Sequence, residues 1–172
     1  MVRNRRIADR ARIFFLTTNL QRGVAFLSAR EHTMILSVLQ DLRTRGDFYL
    51  YAYVVMPNHL HLLLWPDKLP LIRIMRDLKS RTGYAIAQSR KTSGPIWQPR
   101  YFDNIIRRVK YFWEKLDYIH ENPVTAGLAK HPQDWEWSSH RFYAKSGAVP
   151  ILPDPIELPA DGNALLWPAP WS

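Results

Sequence analysis

Two histidines, His59 and His61, stand one residue apart in the apolar stretch YVVMPNHLHLLLW, which spans residues 53 to 65. Successive side chains of a β-strand point to opposite faces of the sheet, so both imidazoles and Leu63 lie on one face, and Leu60, Leu62 and Leu64 lie on the other. Neutral imidazole is the commonest protein ligand for metal ions, and two rings on one rigid strand form half of a metal site. A pair of structural, hydrogen-bonded histidines gives the same pattern. The pair therefore needs partners from elsewhere in the chain.

A tyrosine on the third predicted helix is a second candidate for chemistry. Apolar residues repeat at spacings of three and four from Val109 to Ile119 and form one stripe of this helix. At about 100° per residue, Tyr118 falls on the opposite side of the helix, and Asn122 follows it one turn later. A half-exposed surface tyrosine would show the same pattern, so periodicity leaves both interpretations open.

The elements that must position these residues can be read from periodicity and turn signals. β-branched, aromatic and apolar runs predict strands at residues 13–18, 48–55, 59–65 and 101–107. Apolar residues at helical spacing predict one helix after Ser28 and a second after Pro70. The order strand, helix, strand, strand, helix, strand is the ferredoxin-like (RRM-like) arrangement. We therefore predict an α+β fold, in which an antiparallel sheet carries both helices on one face and is followed by the helix that bears Tyr118.

Length and composition indicate one domain. The 172 residues are 47% hydrophobic and 23% charged, which is typical of a soluble globular protein. We predict a single domain over residues 1–146, with a basic arm at residues 1–12, and a proline-rich tail at residues 147–172. There is no cysteine, which excludes disulfides and thiolate metal sites. No apolar run approaches the length of a membrane span of about 18 residues, and no signal peptide is indicated.

The charge balance favours a polyanionic partner. Twenty-four Lys and Arg against fifteen Asp and Glu give a net charge of +9, which suits nucleic acid. Basicity alone does not separate nucleic acid from a membrane surface. The aromatic content of 13% favours nucleic acid because bases stack on such rings, although many of these rings belong to the core.

Four motifs occur in a fixed order along the chain: VVMPNHLHLLLWP at 54–66, IWQPRYFDNIIR at 96–107, YIHENPVTAGL at 118–128 and WEWSSHRFY at 135–143. Together they resemble the Y1 family of HUH single-strand transposases, and more closely the REP-associated tyrosine transposases. The resemblance covers roughly residues 13 to 143. Four ordered motifs are far more specific than a single one.

The resemblance implies a role for each of the residues named first. His59 and His61 would be ligands of a divalent cation, and Tyr118 would be the nucleophile. Asn122 would supply the third protein ligand, where insertion-sequence relatives usually have glutamine. Two nitrogens, one amide oxygen and open positions suit Mg²⁺ or Mn²⁺ and argue against a closed structural zinc site.

The activity implied by the resemblance is nicking and joining of single-stranded DNA through a covalent 5′-phosphotyrosine, which conserves the phosphodiester for rejoining. Lys115 and His120 both lie near Tyr118 in sequence, and neither is singled out as the group that takes its proton. The implied substrate is DNA with palindromic, REP-like hairpins beside a short guide tetranucleotide. The resemblance further implies a monomer or homodimer, with no membrane partner, in the bacterial cytoplasm and associated with the nucleoid.

Basic residues of the second helix, of the WQPR motif and of the segment after it are the candidates for DNA contacts: Lys79, Arg81, Arg100, Arg107 and Arg108. Arginine can pair with guanine or hold phosphate, so the role of each is left open. Trp97 is equally suited to stack on a base or to anchor the core.

Two other functions fit the same residues. One is a metal-dependent nuclease in which the histidines activate water and Tyr118 is dispensable. The other is a non-catalytic ferredoxin-like nucleic-acid-binding protein whose histidines are structural.

Overall fold

A computed structural model describes residues 12–156 and residue 158 of the chain. Its elements, in chain order, are β1 (Ile13–Asn19), α1 (Ala29–Thr44), β2 (Phe48–Val55), β3 (His59–Pro66), α2 (Leu71–Arg90), β4 (Phe102–Ile106), α3 (Val109–Thr125), a 3₁₀ turn (Pro132–Asp134) and a short α4 (His140–Tyr143). Most of the predicted basic arm and the last part of the predicted proline-rich tail lie outside the described residues. No helix in the described part of the chain is long and apolar enough to cross a membrane.

The described strands form one antiparallel sheet in the order β2-β3-β1-β4. The main core joins one face of this sheet to α1 and α2. Leu60, Leu62 and Leu64 of β3 all lie in this core, as the alternation of the strand predicted. The α+β, ferredoxin-like fold predicted from the sequence is therefore confirmed.

The helix α3 covers the opposite face of the sheet. Phe112, Leu116 and Ile119 of α3 pack against a second core that includes Phe15 of β1. This is the face on which His59 and His61 were placed, so α3 lies over the histidine pair. Trp113 is 43% exposed and does not join the buried stripe, because at 100° per residue it lies about 80° from the centre of the stripe.

The edge strand β2 is covered by the segment that follows α3. The amide of Val55 donates to the carbonyl of Trp137, and the amide of Ser139 donates to the carbonyl of Tyr53. Further along, the amide of Asp154 donates to the carbonyl of Leu50. These contacts satisfy backbone groups that an open edge would leave unpaired. The WEWSSH segment, residues 135–140, therefore closes this edge of the domain.

Candidate active site

The strand β3 and the helix α3 bring the residues predicted for the site into one cluster. His59 Nε2 lies 3.2 Å from Asn122 Oδ1, and His61 Nε2 lies 3.3 Å from Nδ2 of the same amide. The ring centroids of the two histidines are 4.6 Å apart. The ring of Tyr118 is 5.3 Å from that of His61, centroid to centroid. One chain thus supplies all four residues.

The other nitrogen of each histidine ring is held by a neighbour. His59 Nδ1 lies 2.6 Å from Asn58 Oδ1, and His61 Nδ1 lies 2.8 Å from Thr17 Oγ1. These contacts turn the Nε2 atom of each ring toward Asn122. Sequence reasoning missed Asn58 and Thr17. The signal for Thr17 is the strand register, which sets it directly opposite His61 in the β1–β3 pair.

Both histidines are held in the neutral form. Burial, with smaller contributions from the nearby charges of His59 and Lys115, lowers the pKa of His61 to about 3. Burial also lowers the pKa of His59, against the opposing effect of its hydrogen bond with Asn122. A neutral imidazole is the form that binds a metal ion.

The donor set fits a divalent cation. A neutral ring whose Nδ1 carries the proton presents a lone pair at Nε2. In either orientation of the Asn122 amide, its NH₂ group faces one of the two lone pairs and its oxygen faces the other. The amide oxygen and the Nε2 lone pair that it faces are both hydrogen-bond acceptors and repel each other. A cation bound between them would remove this repulsion. Among the described residues no group of three or more His, Asp or Glu side chains is arranged to hold a metal, so a third protein donor here is the amide.

The surroundings of Tyr118 distinguish the two proton acceptors suggested by the sequence. The ammonium of Lys115 lies 5.3 Å from the centroid of the Tyr118 ring and 4.8 Å from that of Phe15. His120 is buried, and its Nε2 lies 2.8 Å from Ser139 Oγ. Lys115 is therefore part of the site, whereas His120 attaches α3 to the segment that covers β2.

Phe15 forms the apolar wall of the site. Its ring stacks on His61 at 5.3 Å with an interplanar angle of 26°, and it meets the Tyr118 ring edge-on at 5.8 Å. The alternation of β1 puts Phe15 and Thr17 on the same face as the histidines. The alternation of β1 can be read from the sequence, but only the pairing of β1 with β3 shows that these two side chains lie beside the histidines.

Lys79 and Trp97, which were both predicted to contact DNA, have structural partners inside the domain. The ammonium of Lys79 donates to the carbonyls of Gln98 and Pro99 at 2.6 and 2.9 Å, so it shapes the loop that carries Arg100. The indole of Trp97 is 5% exposed and donates to Thr82 Oγ1 at 2.8 Å. Trp97 thus serves as a core anchor, one of the two roles that the sequence left open.

The predicted arginines lie at different places on the surface. Arg81 pairs with Asp41 across α2 and α1. Arg100 is exposed and precedes β4 at the end of the sheet where His59 lies. Arg107 and Arg108 are exposed at the other end of β4, where Ile106 pairs with the first residue of β1.

Comparison with known proteins identifies the class. The family model described as IS200-like transposase matches residues 14–122, a range that contains all four residues of the cluster. The chain is 31% identical over 144 residues to a REP-associated tyrosine transposase of Escherichia coli, an alignment that covers 80% of this chain and 82% of that protein. A solved structure of a REP-associated tyrosine transposase bound to a REP hairpin aligns with a TM-score of 0.68 and 25% identity, over 90% of this chain and 92% of the other. The chain belongs to the IS200-like transposase family, within its group of REP-associated tyrosine transposases.

Proposed function

We propose that this protein nicks and rejoins single-stranded DNA carrying REP-like hairpins, through a covalent 5′-phosphotyrosine on Tyr118. Family membership supports the class of reaction, and the solved relative bound to a REP hairpin supports the class of substrate. The observation that carries the proposal is the position of the Tyr118 ring, 5.3 Å from His61, beside the donors of His59 and Asn122.

Each side chain of the site has a separate role in strand cleavage. His59, His61 and Asn122 would hold Mg²⁺ or Mn²⁺, which when bound polarises the scissile phosphate and stabilises its developing charge. The phenol of Tyr118 gives up its proton as its oxygen attacks the phosphorus and forms the new O–P bond, while the P–O3′ bond breaks and the 3′ oxygen leaves and takes up a proton. The ammonium of Lys115 adds positive charge beside the tyrosine that attacks. Rejoining is the same exchange in reverse.

The exposure of the site suits a macromolecular substrate. Tyr118 is 49% exposed, while the histidines beneath it are largely buried. A phosphate in an extended strand can therefore reach the tyrosine without opening of the domain. Because one chain supplies all four residues, a monomer would suffice for the chemistry. The bacterial cytoplasm, close to the nucleoid, remains the predicted location.

The test is cleavage of a hairpin oligonucleotide labelled at its 3′ end, in Mg²⁺ or Mn²⁺, followed by denaturing electrophoresis. A 5′-phosphotyrosine leaves the labelled fragment attached to the protein, so a labelled band should travel with the chain. Tyr118→Phe and His59→Ala should abolish this band. Tyr111→Phe is the matched control, because Tyr111 lies on the same helix and is also 49% exposed.

Other outcomes would favour the remaining functions. Cleavage that survives Tyr118→Phe would identify water as the nucleophile and the protein as a metal-dependent nuclease. Tight hairpin binding with no cleavage in either metal would favour a non-catalytic binding protein.

A further inference from the structure

Lys115 differs from the other half-buried cations in the part of the chain that the structure describes. Each of the others donates to a carboxylate or to a backbone carbonyl; they are Arg43, Lys79, Arg90 and Arg141. Lys115 forms no ion pair or hydrogen bond with any described residue, and its ammonium contacts the rings of Phe15 and Tyr118. Removing a charge from water without an anionic partner is unfavourable. The ammonium is therefore suited to an anion that binds at this place.

The ring of Phe15 holds this ammonium beside the tyrosine. The Nζ atom of Lys115 lies 4.8 Å from the centroid of Phe15 and 5.3 Å from that of Tyr118. Cations are attracted to the electron-rich face of an aromatic ring. The same Phe15 ring stacks on His61 at 5.3 Å. One side chain thus sets the position of the cation relative to both a predicted metal ligand and the predicted nucleophile.

Successive turns of α3 carry the cation, the tyrosine and the amide. Lys115 precedes Tyr118 by three residues, and Asn122 follows Tyr118 by four, spacings that place side chains on one face of a helix. A phosphorus atom ready for attack lies about 3 to 3.5 Å from the attacking oxygen. A phosphate in that position would have the Asn122 amide on one side and the Lys115 ammonium on the other.

The proposed metal donors bring no charge of their own to the site. His59 and His61 are held as neutral imidazoles, and Asn122 is a neutral amide. The transition state of phosphoryl transfer carries more negative charge on its oxygens than the phosphodiester does. A cation that is already in place at these oxygens stabilises the transition state more than the ground state, which raises the rate.

We propose that Lys115 is a catalytic residue whose ammonium donates a hydrogen bond to a non-bridging oxygen of the scissile phosphate, and that Phe15 positions it. The inference rests on the proposed function and deepens it. Lys115 keeps all of its protons during nicking and rejoining, so it is not the group that accepts the proton of Tyr118. Its flexible four-carbon stem lets the ammonium move from the ring faces to the phosphate.

The test is the rate at which the labelled covalent adduct forms in a single turnover, at saturating hairpin DNA and Mn²⁺. Lys115→Ala should lower this rate by about 100-fold, the effect of removing one donor to a developing oxyanion. Lys115→Arg should retain most of the rate, because a cationic donor is kept. Lys110→Ala is the matched control and should react normally, since Lys110 lies on the same helix with its side chain 80% exposed. Isothermal titration should find equal Mn²⁺ affinity in Lys115→Ala and in the unsubstituted chain.

Modified DNA locates the contact on the phosphate. A methylphosphonate at the scissile position, prepared as two separate stereoisomers, replaces one or the other non-bridging oxygen by a methyl group. In the isomer that lacks the oxygen bound by Lys115, Lys115→Ala should react as fast as the unsubstituted chain, because that contact is already lost. In the other isomer the difference of about 100-fold should remain.

A double-mutant cycle tests the role of Phe15. Phe15→Leu keeps an apolar side chain but removes the ring on which the ammonium lies. It should lower the rate by a larger factor in the chain that has Lys115 than in Lys115→Ala. Equal factors in the two backgrounds would show that Phe15 does not position Lys115.

The contrary results separate this inference from the proposed function. An unchanged rate in Lys115→Ala, or an equal loss with both stereoisomers, would show that Lys115 does not bind the phosphate. Lys115→Arg as slow as Lys115→Ala would assign Lys115 to proton transfer instead, because a guanidinium does not lose its proton. In all of these cases the adduct on Tyr118 still forms and the proposed function stands. If the unsubstituted chain forms no adduct in Mg²⁺ or Mn²⁺, both proposals fail together.

Discussion

At the scale of single residues, strand alternation brings His59 and His61 to one face, but their neighbours set the rotation of each ring. Asn58 and Thr17 occupy the two Nδ1 atoms at 2.6 and 2.8 Å, and Phe15 stacks on His61. Partners of this kind orient metal-binding histidines and keep the other nitrogen available.

Thr17→Val is expected to weaken the affinity of the chain for Mn²⁺ by about tenfold, because the Nδ1 of His61 loses the partner that holds its orientation. Isothermal titration with Mn²⁺ measures this without reference to activity. Thr18→Val is the matched control, since the hydroxyl of Thr18 is buried with no hydrogen-bond partner among the described residues. Equal Mn²⁺ affinity in the two variants would show that Thr17 does not orient the ligand.

At the scale of elements, α3 is anchored by a polar contact behind the site. His120 Nε2 meets Ser139 Oγ at 2.8 Å, and Ser139 Oγ also accepts from the amide of Tyr53 at 3.0 Å. The contact between His120 and Ser139 lies inside the domain, and His120 is two residues from both Tyr118 and Asn122 in the sequence. It fixes how far along β2 the helix sits, and so where those two side chains meet β3.

A second link attaches the start of the predicted tail to the domain. The carboxylate of Asp154 accepts from Arg43 Nε and Nη2 at 2.9 and 2.6 Å, and from the amide of Leu50 at 2.7 Å. One carboxylate therefore joins α1, β2 and the segment that follows α4.

Asp154→Ala should lower the free energy of unfolding by about 2 kcal/mol, because hydrogen bonds to a charged group are lost and Arg43 is left without its partner. Urea denaturation followed by circular dichroism measures the change. Asp41→Ala breaks a pair with Arg81 that is equally short, 2.6 Å, but is more exposed, and it should cost under about 0.5 kcal/mol. Similar losses in the two variants would mean that the Asp154 link contributes no more than a surface pair.

At the scale of the whole molecule, buried histidines make stability depend on pH. His32 is 3% exposed, packs against Trp135 and Trp137, and has no hydrogen-bond partner on either ring nitrogen among the described residues. Burial lowers its pKa from 6.5 to about 4, against a smaller opposing effect of Glu31. Burial likewise lowers the pKa of His120 to about 3.

The direction of this pH dependence follows from the number of protons that the folded and the unfolded chain bind. Between pH 6.5 and 4 the unfolded chain binds a proton at His32 that the folded chain does not, so stability falls as the pH falls. The free energy of unfolding should decrease by about 2 kcal/mol between pH 7 and pH 5 from His32 alone, at 1.36 kcal/mol per pKa unit. His32→Phe should remove that part of the decrease. Urea denaturation of both proteins at the two pH values is the measurement, and parallel decreases would show that His32 is not the cause.

Below pH 4, the dependence of the free energy of unfolding on pH has a different origin. The side chain of Glu31 bonds Arg90 at 2.6 Å, and this contact is the largest cause that lowers the pKa of Glu31 to about 2. A carboxylate with a depressed pKa stabilises the fold above its unfolded pKa of 4.5, and this contribution is lost as the pH falls toward 2.

Local pattern in the sequence determined much of this protein. The alternation of β3 placed His59 and His61 together, helical spacing put Tyr118 and Asn122 on one side of α3, and the order of elements implied the ferredoxin-like sheet. These features follow from backbone geometry within one element, and four ordered motifs were enough to indicate the family.

The face that α3 covers and the partners of the site residues were set by packing between elements. Thr17 and Phe15 join the site through strand pairing, Lys115 rather than His120 faces Tyr118, and Trp97 turns inward to Thr82. In each case several neighbouring residues of similar polarity could have made the contact, and the packing of one element against another selects which of them does. Sequence periodicity does not encode that choice, because it describes one element at a time, whereas packing is decided between elements.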